Sequence, residues 1–139
     1  MANFVVDANV AVGTVILSQS NDYSDSVLVA FNRGEIALVP ALWHLETTNA
    51  VLVRERRRSI TAEIRELAIA TLARHPIETD AKSADRAVIA AVQSLALRYF
   101  LTAYDAAYLE LAHLTKLPIA TCDGAIIQAA KHLGVPLFV

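Results

Sequence analysis

The stretch FVVDANVAV, residues 4–12, carries the main indication of the fold of this 139-residue chain. Its apolar run, from Phe4 to Val6, is uninterrupted and ends at a carboxylate, Asp7. Continuous apolar runs, unlike alternating ones, are typical of parallel strands that helices cover on both faces. In such sheets the helix after each strand begins at the carboxyl edge, where α/β folds bind their ligands. The segment therefore predicts a buried parallel strand that places Asp7 at the ligand-binding edge.

Further short apolar runs predict more strands of the same sheet. They lie at residues 36–39, 75–78 (the weakest of them), 118–121 and 136–139. Stretches with helical periodicity separate them, at residues 23–32, 41–54, 61–72, 83–97, 102–115 and 123–133. Because strands alternate with helices, right-handed crossovers are expected, and they predict a three-layer α/β/α sandwich around a central parallel sheet of four to five strands. No repeat, low-complexity tract or Gly/Ser linker interrupts the pattern, so we expect residues 1–139 to form a single domain.

Composition narrows the class of protein. Apolar residues make up 55% of the chain, yet no uncharged apolar stretch approaches the roughly 20 residues needed to span a bilayer. We therefore expect no membrane association, and part of the apolar surface to be buried in an oligomer. The N-terminus lacks the basic and apolar segments of a signal peptide. The single cysteine, Cys122, excludes an intramolecular disulfide and fits a reducing cytoplasm.

Four carboxylates follow or begin predicted elements. Asp123 comes after the fourth predicted strand, as Asp7 comes after the first. Glu46 lies about two turns into the second helix, on its apolar face, where an unpaired carboxylate is unfavourable to bury. Asp105 begins a helix. It lies at the carboxyl edge if residues 98–104 return across the sheet to that edge, a distance of about 20 Å that seven extended residues can span.

Each acid alone has a simpler explanation. Asp7 and Asp123 fit helix N-caps, and Asp105 fits the third position of a capping box that begins at Thr102. These roles do not explain why all four would meet. Carboxylates crowded together raise one another's pKa unless a cation neutralises them. An oxygen-only cluster of this kind suits Mg²⁺ or Mn²⁺ better than zinc.

Other polar side chains near this edge give weaker indications. Asn9 follows Asp7 by two residues and Thr121 precedes Asp123 by two, so each fits either ligand orientation or turn chemistry. Asn49, one turn beyond Glu46, either holds that carboxylate or contacts a helix neighbour.

A cationic run stands at the end of the second predicted helix, at Arg54, Arg56, Arg57 and Arg58. It fits contacts to RNA phosphates or to an acidic partner segment. It fits equally well a solvated helix end, where cations favour the negative end of the helix dipole.

Taken in order, these pieces resemble a PIN domain. The matching segments are FVVDANVAV, LWHLETTNAVL, LTAYDAAYLELA and IATCD, with GVPLFV closing the last helix-to-strand step. The resemblance covers essentially the whole chain, and its size is similar to that of the VapC toxins of bacterial toxin–antitoxin pairs. Asp7, Glu46, Asp105 and Asp123 match the four acidic positions of that family, Asn9 the small polar position after the first acid, and Thr121 the polar residue before the last.

The resemblance implies a specific activity. It implies a homodimer that cleaves RNA with Mg²⁺, for which Mn²⁺ substitutes, and that a VapB-like antitoxin neutralises. In the corresponding mechanism one or two ions are held, with Asp7 and Asp123 in direct contact, Asp105 in contact directly or through water, and Glu46 serving a second ion or the attacking water. The four histidines show no pairing with a serine or cysteine nucleophile.

Other functions remain open from the residues. A phosphoacceptor receiver domain would need an acidic pair after the first strand and a lysine after the fifth, and an Asp-nucleophile phosphatase would carry a second Asp where Asn9 stands. Neither pattern is present. A catalytically inactive PIN-like module that binds RNA or protein is the stronger alternative, because a sequence does not show whether metal is bound.

Overall fold

A single parallel sheet forms the centre of the computed structural model, which describes residues 1–138. Its four short strands are β1 (Phe4–Val6), β2 (Ala37–Val39), β3 (Ile77–Thr79) and β4 (Ile119–Ala120), and their order across the sheet is β3-β2-β1-β4. Val5 pairs with Leu38 of β2 on one side and with Ile119 of β4 on the other. The α/β class and the parallel sheet predicted from the apolar runs are thus confirmed.

Seven α-helices and one short 3₁₀ helix connect the strands. They are α1 (Ala8–Gly13), the 3₁₀ turn (Leu17–Gln19), α2 (Asp22–Asn32), α3 (Leu42–Arg56), α4 (Ala62–Arg74), α5 (Arg86–Tyr99), α6 (Ala103–Thr115) and α7 (Gly124–Leu133). The helices from α1 through α4 contact one another and form one group, and α5, α6 and α7 form a second group. In the second group α6 packs on β1 and β4. The chain moves outward along the sheet from β1 to β3 and then back past β1 to β4. Right-handed crossovers therefore put the second helix group on the opposite face, which makes the three predicted layers.

The fifth predicted strand, residues 136–139, is reduced to a single parallel bridge. Leu137 pairs with Ile119, the Ile119 N–H donates to Pro136 O at 2.9 Å, and the Phe138 N–H donates to Ile119 O at 2.9 Å. Val139 lies outside the described residues. Within residues 1–138 the sheet therefore has four strands, the lower end of the predicted range.

The sequence pattern did not predict α1. Its residues, ANVAVG, include two β-branched valines and are buried on almost every side, so they show no helical stripe. Close packing explains the helix instead: a Cβ at Gly13 would come within 2.9 Å of the Ser24 Cβ in α2. Tertiary contact thus overrides local propensity here.

The core surrounds the sheet and includes buried side chains from α1 to α7. Phe4, Val5, Ile119 and Ala120 have no exposed surface, and Phe138 stacks on Phe4 with ring centroids 4.1 Å apart. Across residues 1–138, no single helix has both the length and the hydropathy that crossing a bilayer requires.

Candidate active site at the carboxyl edge of the sheet

The predicted acids surround the point where the strand order reverses. From β1 the chain proceeds to β2 and β3 on one side, whereas β4 lies on the other side of β1. The crossovers that leave β1 and β4 therefore diverge and open a crevice at their carboxyl ends, the usual ligand site of open α/β sheets. Asp7 directly follows β1, and Thr121 directly follows β4.

Asp7 is the most deeply buried of the acids. Its Oδ1 accepts a hydrogen bond from the Val10 N–H at 2.8 Å and so caps α1, and its Oδ2 accepts one from the Thr121 hydroxyl. Burial is the main cause that raises the pKa of Asp7 from 3.8 to about 6, and the charges of Asp105 and Asp123 add to it. The two hydrogen bonds oppose this rise because they stabilise the charged form.

Thr121 connects the two acids that end β1 and β4. Its hydroxyl donates to Asp7 and accepts from the Asp123 N–H at 3.0 Å, while it is itself buried. Asp123 in turn caps α7, since its Oδ1 accepts from the Ile126 N–H at 3.0 Å. The N-cap roles of Asp7 and Asp123 are therefore real, and they coexist with a shared position at the sheet edge.

Glu46 reaches the same edge from α3. Its Oε1 accepts a hydrogen bond from the hydroxyl of Tyr108 in α6, which joins the two helix groups. The buried stripe of α3 consists of Trp43, Thr47 and Val51, so Glu46 lies at the border of that stripe and is half-buried, not at its centre as the periodicity predicted. Burial raises the pKa of Glu46, the Tyr108 hydrogen bond lowers it, and the charge of Asp105 raises it.

Asp105 lies in the first turn of α6, so the chain does climb back to the carboxyl edge. The Asp105 N–H donates to the Thr102 hydroxyl at 3.0 Å, which is one half of the predicted capping box. Burial is the largest cause that raises the pKa of Asp105, and the charge of Asp123 raises it further. Asp105 is also the acid whose charge acts on both Asp7 and Glu46.

None of the four acids has a cationic partner in the part of the chain that the structure describes. The one ion pair there joins Arg65 Nε to Glu55 Oε2 at 2.6 Å, on the surface between α3 and α4. The repulsion among the acids is thus uncompensated by protein charge. This arrangement favours either proton uptake or a bound cation.

The donor chemistry suits a hard divalent cation, but the side chains do not form a closed cage. Among residues 1–138, no three His, Cys, Asp or Glu side chains are grouped closely enough to hold a metal ion as they stand. Carboxylate oxygens are nevertheless the ligands of Mg²⁺, which keeps several waters and needs only one or two protein carboxylates. The residues present therefore fit a hydrated Mg²⁺ in kind.

The other predicted site residues differ in position. Asn9 is exposed in the first turn of α1, next to Asp7 in the chain. Asn49 is exposed and borders the same surface pocket as Glu46, together with Leu45 and Tyr104, whereas the hydrogen bond to Glu46 comes from Tyr108.

The cationic run lies away from the acids. Arg54 is engaged, since it donates to Ala50 O at 2.7 Å and to Gln19 Oε1 at 2.8 Å. Arg56, Arg57 and Arg58 are exposed at the C-terminal end of α3. Ten helical residues, about 15 Å of axis, separate Arg56 from Glu46. Any RNA contact of this run would therefore be remote from a phosphate held by the acids.

Tyr108 is a site residue that the sequence analysis did not single out. A signal was available, because a buried tyrosine needs a partner for its hydroxyl and Tyr108 stands one turn after Asp105. What was missing was the approach of α3, which supplies Glu46 as that partner.

Comparison with models of known protein families and with curated proteins finds no match to this chain. The likeness to PIN domains therefore remains a resemblance carried by the residues quoted above.

Proposed function

We propose that this protein is a Mg²⁺-dependent endoribonuclease that hydrolyses RNA phosphodiester bonds. One observation carries the proposal: four separate segments bring carboxylates to the switch point of the sheet, where Thr121 and Tyr108 hydrogen-bond two of them, and no cation of residues 1–138 pairs with any of the four. A structural cluster would be expected to carry its own arginine or lysine. A cluster whose carboxylates have no cationic side chain paired with them is suited to bind a cation and, through it, a phosphate.

The proposed roles of the side chains combine their positions at the sheet edge with the resemblance to PIN domains. Asp7, Asp105 and Asp123 would hold the ion, and Glu46 would serve a second ion or orient the attacking water. Bound Mg²⁺ would neutralise a phosphate oxygen and lower the pKa of a bound water. Thr121 holds the Asp7 carboxylate in one orientation, and Tyr108 does the same for Glu46. Mn²⁺ is expected to substitute, because it accepts the same oxygen ligands.

The biological role in the proposal rests on the resemblance to VapC toxins. On that basis we propose that the nuclease is the toxin of a VapBC-type pair, that it acts as a homodimer in the cytoplasm, and that a VapB-like antitoxin binds it.

The first prediction concerns Asp7→Asn. This change keeps the shape of the side chain and an oxygen that can still accept from the Val10 N–H, but it removes the charge and puts an NH₂ donor where Oδ2 accepts from Thr121. The fold should persist while Mg²⁺-dependent RNA cleavage falls by at least about a hundredfold. Asp85→Asn is the matched control, because Asp85 is an exposed acid at the start of α5 whose side chain makes no cap hydrogen bond. Cleavage of a labelled RNA, with single-stranded DNA in parallel, is the measurement. Full activity in Asp7→Asn would remove the proposal.

An inactive PIN-like module that binds RNA or protein is the second candidate, and it is favoured because residues 1–138 contain no preformed group of three ligands. Mn²⁺ titration separates the two. The nuclease should bind Mn²⁺ clearly more tightly than Asp7→Asn does, whereas the inactive module should bind it no better.

A further inference from the structure

An open pocket of about 650 Å³ lies between α5 and α7, and its lining begins at Gly124, the residue after Asp123. Its walls are the C-terminal end of α5 and one side of α7 from Gly124 to His132, with Phe100 facing α7 across the opening. Gly124 directly follows Asp123, and Phe100 stands five residues before Asp105. Both walls are therefore continuous with segments that carry an acid of the candidate site.

Phe100 presents its ring to this pocket at a cost to the fold. It is 95% exposed, and it occupies the left-handed conformation at the C-cap of α5, with φ 55°. That conformation is unfavourable for a bulky residue, and an exposed ring gains no packing in return. Two other side chains with left-handed backbone, Arg58 and Lys116, are long and polar, as is ordinary for a surface position.

The pocket also holds polar groups beside the ring. The Tyr99 hydroxyl and His132 Nδ1 lie 2.8 Å apart and so link its two walls. The Arg98 guanidinium carbon lies 5.1 Å from the centre of the Tyr99 ring, which keeps a cation at the rim. Gln128 adds an exposed amide that can both donate and accept.

A free aromatic face, a cation and an amide side by side match the parts of a nucleotide. A base stacks on an aromatic ring, a phosphate takes the cation, and the edge of the base pairs with the amide. The proposed function supplies an RNA, whose bases and phosphates can use all three groups at once. We infer that the pocket binds one unpaired nucleotide of a single-stranded RNA, with its base stacked on Phe100, next to the phosphate at the acids. The inference rests on the proposed function and names the form of its substrate.

The test compares four proteins that all carry Asp7→Asn, so that RNA is not consumed. They are this parent, Phe100→Leu, Phe100→Trp and, as a control, Leu17→Ala, which shortens an 89% exposed apolar side chain elsewhere on the surface. Leu at position 100 meets the same backbone penalty as Phe but cannot stack. Affinity for short labelled single-stranded oligouridine and oligoadenosine is measured by fluorescence anisotropy at low ionic strength, and each variant is checked for its thermal unfolding and its oligomeric state.

Phe100→Leu should weaken binding by about fivefold to a hundredfold, the range expected for one base–aromatic stack, while Phe100→Trp and Leu17→Ala bind as the parent does. Equal affinity in all four proteins, or no binding of single-stranded RNA by the parent, would overturn the inference. An altered oligomeric state with unchanged RNA affinity would overturn it as well, because Phe100 would then be a protein contact. None of these results depends on cleavage, so the nuclease proposal stands or fails separately in the Asp7→Asn assay.

Discussion

Asp7 combines a structural and a chemical property in one side chain. It caps α1 and receives the Thr121 hydroxyl, yet its burial raises its pKa to about 6. Hydrogen bonds from Val10 and Thr121 hold it in place without removing the cost of its charge. The sequence could predict that this acid ends a strand, but its burial depends on β4 and α6, which come from more than ninety residues away.

The elevated pKa of Asp7 predicts how stability varies with pH. The folded state holds this proton more tightly than the unfolded state, so the free energy of unfolding should fall as pH rises from about 4 to about 6 and then level off. The two-unit difference corresponds to about 3 kcal/mol. Asp7→Asn should remove this share of the decline. In urea denaturation without metal, the free energy of unfolding of Asp7→Asn minus that of the unmodified protein should therefore become more positive across this window. A difference in free energy of unfolding that is equal at pH 4 and pH 7 would contradict the assigned cause.

At the level of elements, capping residues indicated the helices more clearly than the periodicity of apolar residues did. Gly134 ends α7 in the left-handed conformation with φ 81°, and Val135 N donates back to Ala130 O at 2.8 Å. The Gly-Val-Pro order accounts for this cap, because glycine takes a left-handed conformation readily and proline blocks a restart of the helix. The periodicity could not predict α1, which has the Asp7 cap at its start and otherwise rests on packing against its neighbours α2 and α3.

A pair of glycine substitutions tests the cap. Gly134→Ala should lower the free energy of unfolding by about 1 kcal/mol, because alanine is strained at this φ although a Cβ would touch nothing within 4 Å. Gly124→Ala is the control, since that position also has open space around it but begins α7 without a positive φ. Its stability should be unchanged or higher by up to about 1 kcal/mol. Chemical denaturation measures both, and equal losses in the two variants would argue against conformational strain.

At the scale of the whole molecule, the surface retains an apolar groove of about 420 Å³ between α5, α6 and the start of α3. Leu97 and Tyr104 line it, and Leu45 lies close by; all three are exposed. The oligomer expected from composition stays a prediction, and this groove is the surface at which we test it.

The predicted homodimer can be tested at this groove. Leu97→Glu should shift the protein towards monomer in light scattering coupled to size-exclusion chromatography, because a charge would have to be buried in the interface. Leu17→Glu introduces the same charge on an exposed leucine outside the groove and should leave the oligomeric state unchanged. A dimer that survives Leu97→Glu would place the interface elsewhere.

The sequence by itself determined the local events: which runs become strands, where most helices begin and end, and which acids stand at those ends. These depend on periodicity and on capping chemistry, which act over a few residues. Only the tertiary structure decided that β4 lies beside β1, that Tyr108 meets Glu46, and that Phe100 faces a pocket next to Asp123. Strand order and contacts between helix layers join residues far apart in the chain, and no local pattern encodes which distant partner fills each place.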